Sequence, residues 1–274
     1  FPERCKMVSK GKGFSTKAVH AGEKRDLSTG AVVTPIYETS VFAFSSTKEL
    51  IDVMSEKAEG YTYTRYGNPT VRTVEKKMTE LEGAEDTAVF SSGMAAITTT
   101  IFTLVSSGDH VVSTRDLYGG SLEFFKNILP KFGVEVSLVE ATNFDEIKAA
   151  VRKNTKVIYA ETPTNPTLKL VDVSKIAKLG KKNGITVVVD STFASPYNLK
   201  PIQFGVDIVV HSATKYLGGH NNVTAGVVSG SQSFMQKLKE MRKHLGGTLD
   251  PFAAWLLLRG LKTLGLRMER HNSN

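Results

Sequence analysis

Cysteine is nearly absent: Cys5 is the single one in 274 residues. One thiol cannot close a disulfide within its own chain or build a metal–thiolate site. Such usage fits a reducing, cytoplasmic setting, and no metal is expected. Long apolar runs are missing too. Nothing approaches about 18 residues, so no membrane span is expected. The opening "FPERCKMVSKGKGF" lacks the apolar stretch of a signal peptide. There are no internal repeats and no low-complexity tracts. No GxxxxGK[ST] loop occurs, and no convincing GxGxxG follows a strand, which argues against Walker-type and dinucleotide sites. RNA-binding and zinc-finger patterns are missing as well. The basic excess, 35 Lys+Arg against 27 Asp+Glu, is scattered over solvated helix faces such as "EKKMTELE" and "QKLKEMRKH". It favours anionic partners in general, but no nucleic acid is expected.

What is present is a chain able to build a core, with 41% hydrophobic residues. Its length suits one large or two modest domains. Residues 1–60 are mixed, with a polar start and a short helical stretch, "STKELIDVMSEKA". From about residue 85 an alternation begins. Short β-branched runs are "TAVF", "DHVVS", "VEVSLVE", "KVIYA", "ITVVVD" and "VDIVV". Helical patterns such as "GMAAITTTIFTLV", "GGSLEFFKNILPKF" and "NFDEIKAAVRKN" fill the gaps. This pattern predicts an α/β fold, a mostly parallel sheet with helices on both faces. "AGVVSG" adds a candidate antiparallel strand.

In such sheets ligands sit beyond the carboxyl ends of the strands. That rule selects Ser91-Ser92-Gly93, Tyr118-Gly119-Gly120, "ETPTNP", Asp190-Ser191-Thr192 and Ser212 to Lys215. Taken singly, each has an ordinary reading. Ser92 caps a helix. Asp190 is a cap, an ion pair or a metal ligand, and Lys215 is a surface lysine. A lysine beside two hydroxyls just past an apolar strand also reads as one set for partial burial, which is costly for an ammonium. Gly93 between a strand and a helix start suits a phosphate. Together, a carboxylate, a lysine, small hydroxyls and a glycine helix start on one rim are what pyridoxal 5′-phosphate requires. The lysine makes a Schiff base with the aldehyde. The carboxylate keeps the pyridine nitrogen protonated, and amides and hydroxyls hold the phosphate.

The segments "SSGMAA", "DLYGG", "YAETPTNPTLKLVD", "VVVDSTFASPYNLKP", "HSATKYLGGH" and "YTYTRYGNPT" resemble the Cys/Met-metabolism family of pyridoxal-phosphate enzymes. The resemblance runs in register from about Thr16 to the end. It implies fold type I, the aspartate-aminotransferase-like fold. It implies that Lys215 carries the cofactor and that Ser212 and Thr214 bond its phosphate. Gly93 and Met94 would give amides to that phosphate beside Ser92. Tyr118 would stack on the ring, Asp190 would pair with its nitrogen, and Thr192 would lie close by. Asn165 would approach the cofactor's hydroxyl side. Tyr63 and Arg65 would reach the phosphate of a neighbouring subunit, which makes the protein a homo-oligomer, a dimer of dimers. Lys215, Tyr118 and Asp190 are the expected catalytic groups. The expected substrate is a small amino acid reacting at its γ-carbon. Cystathionine γ-lyase chemistry is expected first and cystathionine γ-synthase chemistry second, with methionine γ-lyase and homoserine sulfhydrylase behind. An inactive or binding-only fragment is the alternative of another class.

Three positions depart from the family pattern. Gly120 stands where methionine γ-lyases carry a cysteine, Ser191 replaces an asparagine, and Asn222 replaces an aspartate. Residues 1–60 are expected to form an N-terminal arm for subunit contact, and 61–255 the cofactor-binding large domain. Residues 256–274 read as the start of a long helix leading to a further domain, where the arginine for the substrate carboxylate is expected.

Overall fold

Strands form where β-branched residues crowd together, and among the described residues this happens seven times. This computed structural model describes residues 13–55 and 57–274; Cys5 lies outside the described residues. The strands are β1 (Asp86–Phe90), β2 (His110–Thr114), β3 (Glu135–Val139), β4 (Thr155–Glu161), β5 (Thr186–Asp190), β6 (Ile208–Ser212) and β7 (Gly226–Gly230). They build one sheet in the order β1-β7-β6-β5-β4-β2-β3. Only β7, the "AGVVSG" strand, runs against the rest, and it is inserted between β1 and β6.

The helices are α1 (Phe14–His20), α2 (Thr47–Met54), α3 (Pro69–Glu82), α4 (Gly93–Leu104), α5 (Gly119–Glu123) and α6 (Phe144–Ala149). They continue as α7 (Val173–Asn183), α8 (Ser195–Asn198), α9 (Gln232–Leu245), α10 (Pro251–Lys262) and α11 (Leu264–Ser273). Alternation along the strands sends side chains to opposite faces. Val188, Ile208, Val210 and Val228 meet Ile97 and Ile101 of α4 and Met235 and Leu238 of α9. On the other face, Val187, Val189 and Val209 meet Ile176 and Ala177 of α7. Val89 and Val227 meet Val74 and Met78 of α3 and Leu257 of α10. With both faces covered, the central strands are apolar almost throughout, as a parallel sheet requires. Each such buried Val, Leu or Ile contributes about 1.5–3 kcal/mol.

Caps fix where the helices start. Asn68 accepts the amides of Thr70 and Val71 ahead of Pro69, and Asp172 accepts that of Lys175. One expected helix is not continuous. "GGSLEFFKNILPKF" begins as α5, loosens to a π turn over Phe124–Ile128 and tightens to a 3₁₀ turn over Leu129–Phe132. Pro130, which has no amide hydrogen, sits where the winding changes.

The C-terminal helical pattern also begins earlier than 256. Asp250 accepts the Ala253 amide and caps a helix that starts at Pro251, and the helix breaks at Thr263 into α10 and α11. Position 255 therefore falls inside a helix that shares a core with α3. Residues 22–55 and 57–60 bury little apolar surface: Val32 is 82% exposed and Met54 68%. Among the described residues no helix is long and apolar enough to cross a membrane.

Candidate active site

The carboxyl ends of β1, β2, β4, β5 and β6 surround a cavity of about 210 Å³. From the β1–α4 junction come Ser92, Gly93 and Met94, and from the turn after β2 comes Tyr118. β4 and its loop supply Glu161 and Asn165, and β5 supplies Asp190, Thr192 and Phe193. Ser212, Thr214, Lys215 and Thr224 complete the lining. Every site residue expected from the sequence lines this cavity except Tyr63 and Arg65.

Gly93 is the close-approach point. A Cβ there would stand 2.8 Å from Ser212 Cβ, so glycine lets the start of α4 press against the end of β6. Ser92 Oγ accepts the Ala95 amide at 3.0 Å and is the cap of α4. The Gly93 and Met94 amides have no acceptor within the helix. They leave a positive helix end at the cavity wall. Thr214 Oγ1 exchanges bonds with the Ala225 backbone, accepting at 3.1 Å and donating at 3.3 Å.

Asp190 is 4% exposed. Its Oδ1 accepts the Thr192 amide at 3.0 Å and the Thr192 hydroxyl at 2.5 Å, and Oδ2 accepts the Tyr159 phenol at 3.3 Å. Burial pushes its carboxyl up, against the pull of Thr192 and of nearby His211. No cation bonds it directly among the described residues. A buried carboxylate of this kind suits a cationic N–H from a ligand.

Glu161 is the functional candidate that sequence reasoning missed. It is the register partner of Asp190 in the sheet, so the two carboxylates share one face. Burial, then the charge of Asp190, push Glu161 up to about 7, while the amides of Tyr118 and Asn165 pull it down. Its signal was the one that singled out Asp190: an acid closing an apolar strand.

Lys215 corrects one expectation. It is exposed rather than half-buried. It sits in the turn after β6 and lines the cavity. The turn itself is firmly held. Arg267 of α11 donates to the Tyr216 carbonyl at 2.6 Å, and Gly260 of α10 leaves room for the Gly218 carbonyl. Tyr118 is also at the mouth, 49% exposed.

Tyr63 and Arg65 lie elsewhere. The Arg65 guanidinium sits 5.3 Å from the Tyr63 ring centre and 4.9 Å from that of Tyr66, and it donates to the Lys243 carbonyl. Beside them runs a wider groove of about 890 Å³. Its buried acid, Glu75, is already paired with Arg72, Arg242 and Lys239. Of the departing positions, Asn222 is exposed, and buried Ser191 leaves its hydroxyl without a partner.

The cavity fits pyridoxal 5′-phosphate by its donor set: free helix-end amides and hydroxyls for a phosphate, a buried carboxylate for a ring N–H, an aromatic ring, and an amine. The comparisons agree. Residues 15–274 match the model of the Cys/Met metabolism PLP-dependent enzymes. The chain belongs to that family. The L-methionine γ-lyase of Fusobacterium nucleatum subsp. nucleatum is 45% identical over 98% of this chain and 68% of its own length. The cystathionine γ-lyase of Bacillus subtilis is 45% identical over 94% of this chain and 66% of its own. The crystal structure of metB from Corynebacterium glutamicum superposes with a TM-score of 0.90 at 42% identity, covering 95% of this chain and 66% of that one. Pyridoxal phosphate is the family's cofactor, and the sheet is the fold-type-I sheet its members share.

Proposed function

We propose that the chain is the cofactor-bearing part of an enzyme acting at the γ-carbon of sulfur amino acids or activated homoserines. The observation that carries this is the convergence of Lys215, Asp190, Tyr118 and the Gly93 helix end on one cavity. Gly93, Met94, Ser212 and Thr214 hold the phosphate, and Asn165 meets the hydroxyl side. When bound, the cofactor supplies an aldehyde that bonds amines and a ring that stores an electron pair. Asp190 accepts the ring N–H and keeps that nitrogen protonated. Lys215 Nζ takes the proton from the substrate's α-carbon. Lys215 and the Tyr118 hydroxyl then move protons, one off the β-carbon and one onto the departing γ-substituent, so that the bond at the γ-carbon breaks. Water or a thiol decides between elimination and replacement.

Cystathionine γ-lyase chemistry is the first reading. The two lyase relatives are equally identical at 45%, so identity does not rank them. Position 120 does. A Cβ there would come 2.7 Å from Tyr118 Cε1 and 3.2 Å from Met94 Sδ. Glycine therefore leaves the Tyr118 ring free where a cysteine would press on it. Replacement on an acylated homoserine is the second reading. Arg65 lies away from its own cavity and the arm leaves apolar residues exposed, which supports a homo-oligomer with shared sites.

The test is a substrate panel on the full-length protein. It should be yellow, bleach with borohydride, and turn over cystathionine faster than methionine or acylated homoserines. Preference for methionine or an acylated homoserine overturns the first reading. A colourless, inert protein identifies a binding-only chain.

A further inference from the structure

One carboxylate holds two loops that reach the cavity from different strands. Glu161 Oε2 accepts the Tyr118 amide at 2.9 Å, and Oε1 accepts the Asn165 amide at 2.6 Å. Tyr118 follows β2, whereas Asn165 follows β4. We propose that Glu161 is a positioning residue that fixes Tyr118 and Asn165 relative to each other for the cofactor. The proposal rests on the reading of this cavity as the pyridoxal-phosphate site.

The geometry runs against fold stability, which argues for a task. Glu161 is 5% exposed, with Asp190 beside it on β5. The other titratable groups facing the cavity are Lys215 from the turn after β6 and the phenol of Tyr118. Tyr159, behind it on β4, is held neutral by burial and the neighbouring carboxylates. A glutamine would carry no charge to bury, so packing alone does not call for a carboxylate here. What glutamine lacks is a second accepting oxygen. Only a carboxylate accepts both amides. The fold has an independent tie nearby, because Lys169 bridges Asp116 and Glu140 at the outer edge of the same loops. Variants at 161 are therefore expected to fold.

The sign of the pH dependence separates this role from a structural one. Glu161 titrates higher folded, at about 7, than its ordinary 4.5. Its stabilising contribution is complete below pH 4.5 and is lost as pH rises through about 7. The apoprotein of Glu161→Gln should therefore gain in urea midpoint, relative to wild type, between pH 5 and 8. Cofactor binding should move the other way.

The test uses the full-length protein. In the apoprotein, Glu161→Ala should speed amide exchange at both Tyr118 and Asn165 by about tenfold, against Val188 as reference. Glu161→Gln should do so at one of the two only. Titrated by absorbance at pH 8, pyridoxal phosphate should bind about three- to thirtyfold more weakly to Glu161→Gln, and more weakly still to Glu161→Ala. Unchanged exchange at both amides in Glu161→Gln, or wild-type cofactor affinity in either variant, overturns the proposal. Should Glu161→Ala fail to fold, Glu161→Gln decides alone by the same measurements. If wild type binds no pyridoxal phosphate, the cofactor reading falls and the positioning role with it. If wild type binds and the variants bind equally well, only the role of Glu161 falls.

Discussion

Asp190 carries the electronic half of the account. Its carboxylate is buried, bonded by Thr192 and Tyr159, and pushed upward by burial. Replacing it by alanine leaves a ring nitrogen without its proton partner. Turnover of Asp190→Ala should drop by more than the ~10²–10⁴-fold typical of one acid–base group. Steady-state kinetics on cofactor-saturated protein checks this, and near-normal turnover contradicts it. At this scale the sequence was informative wherever a polar residue ended an apolar strand. Asp190 and Ser212 were legible for that reason, and Glu161 carried the same signal in "ETPTNP". The exposure of Lys215 was not legible. The turn that carries it is held by Arg267, which lies 52 residues further along the chain.

Elements place these residues, and the joint between α3 and α9 shows how. Glu75 of α3 is 4% exposed and meets Arg242 of α9 at 3.0 Å, with Arg72 at 2.9 Å and Lys239 at 3.7 Å. Burial pushes Glu75 up, but Lys239, Arg242 and Arg72 together hold it below the usual carboxylate range. Its folded value is thus depressed, so its contribution is present above the ordinary carboxylate range and is lost as pH falls through the folded value. Glu75→Gln leaves Arg242 buried without its counter-charge and should cost about 3–5 kcal/mol in urea unfolding at pH 7. The loss should shrink toward pH 3. A cost under about 1 kcal/mol would show that the joint holds little. The strands themselves were readable, because β-branched runs such as "TVVVD" suit little else. The π turn at Phe124–Ile128 was not, because its residues keep an ordinary helical pattern and only packing decides the winding.

At the scale of the whole molecule, the site is expected to be shared between subunits. Tyr63 and Arg65 were legible only through family resemblance, since nothing in "YTYTRYGNPT" alone marks them. Within one chain they face the Lys243 end of α9 rather than the cavity. A guanidinium suits a phosphate through paired hydrogen bonds. Mixing full-length Arg65→Ala with Lys215→Ala, each inactive alone, should restore activity, because a mixed dimer keeps one site with both groups. No recovery after verified subunit exchange would assign Arg65 to its own chain. The central claim is narrower: Lys215 holds pyridoxal phosphate in this cavity. Borohydride reduction of the full-length holoprotein, followed by peptide mass spectrometry, tests it directly. The account predicts a pyridoxyl group on the Lys215 peptide. Labelling of Lys181 or Lys182 instead, or of no lysine at all, would contradict it.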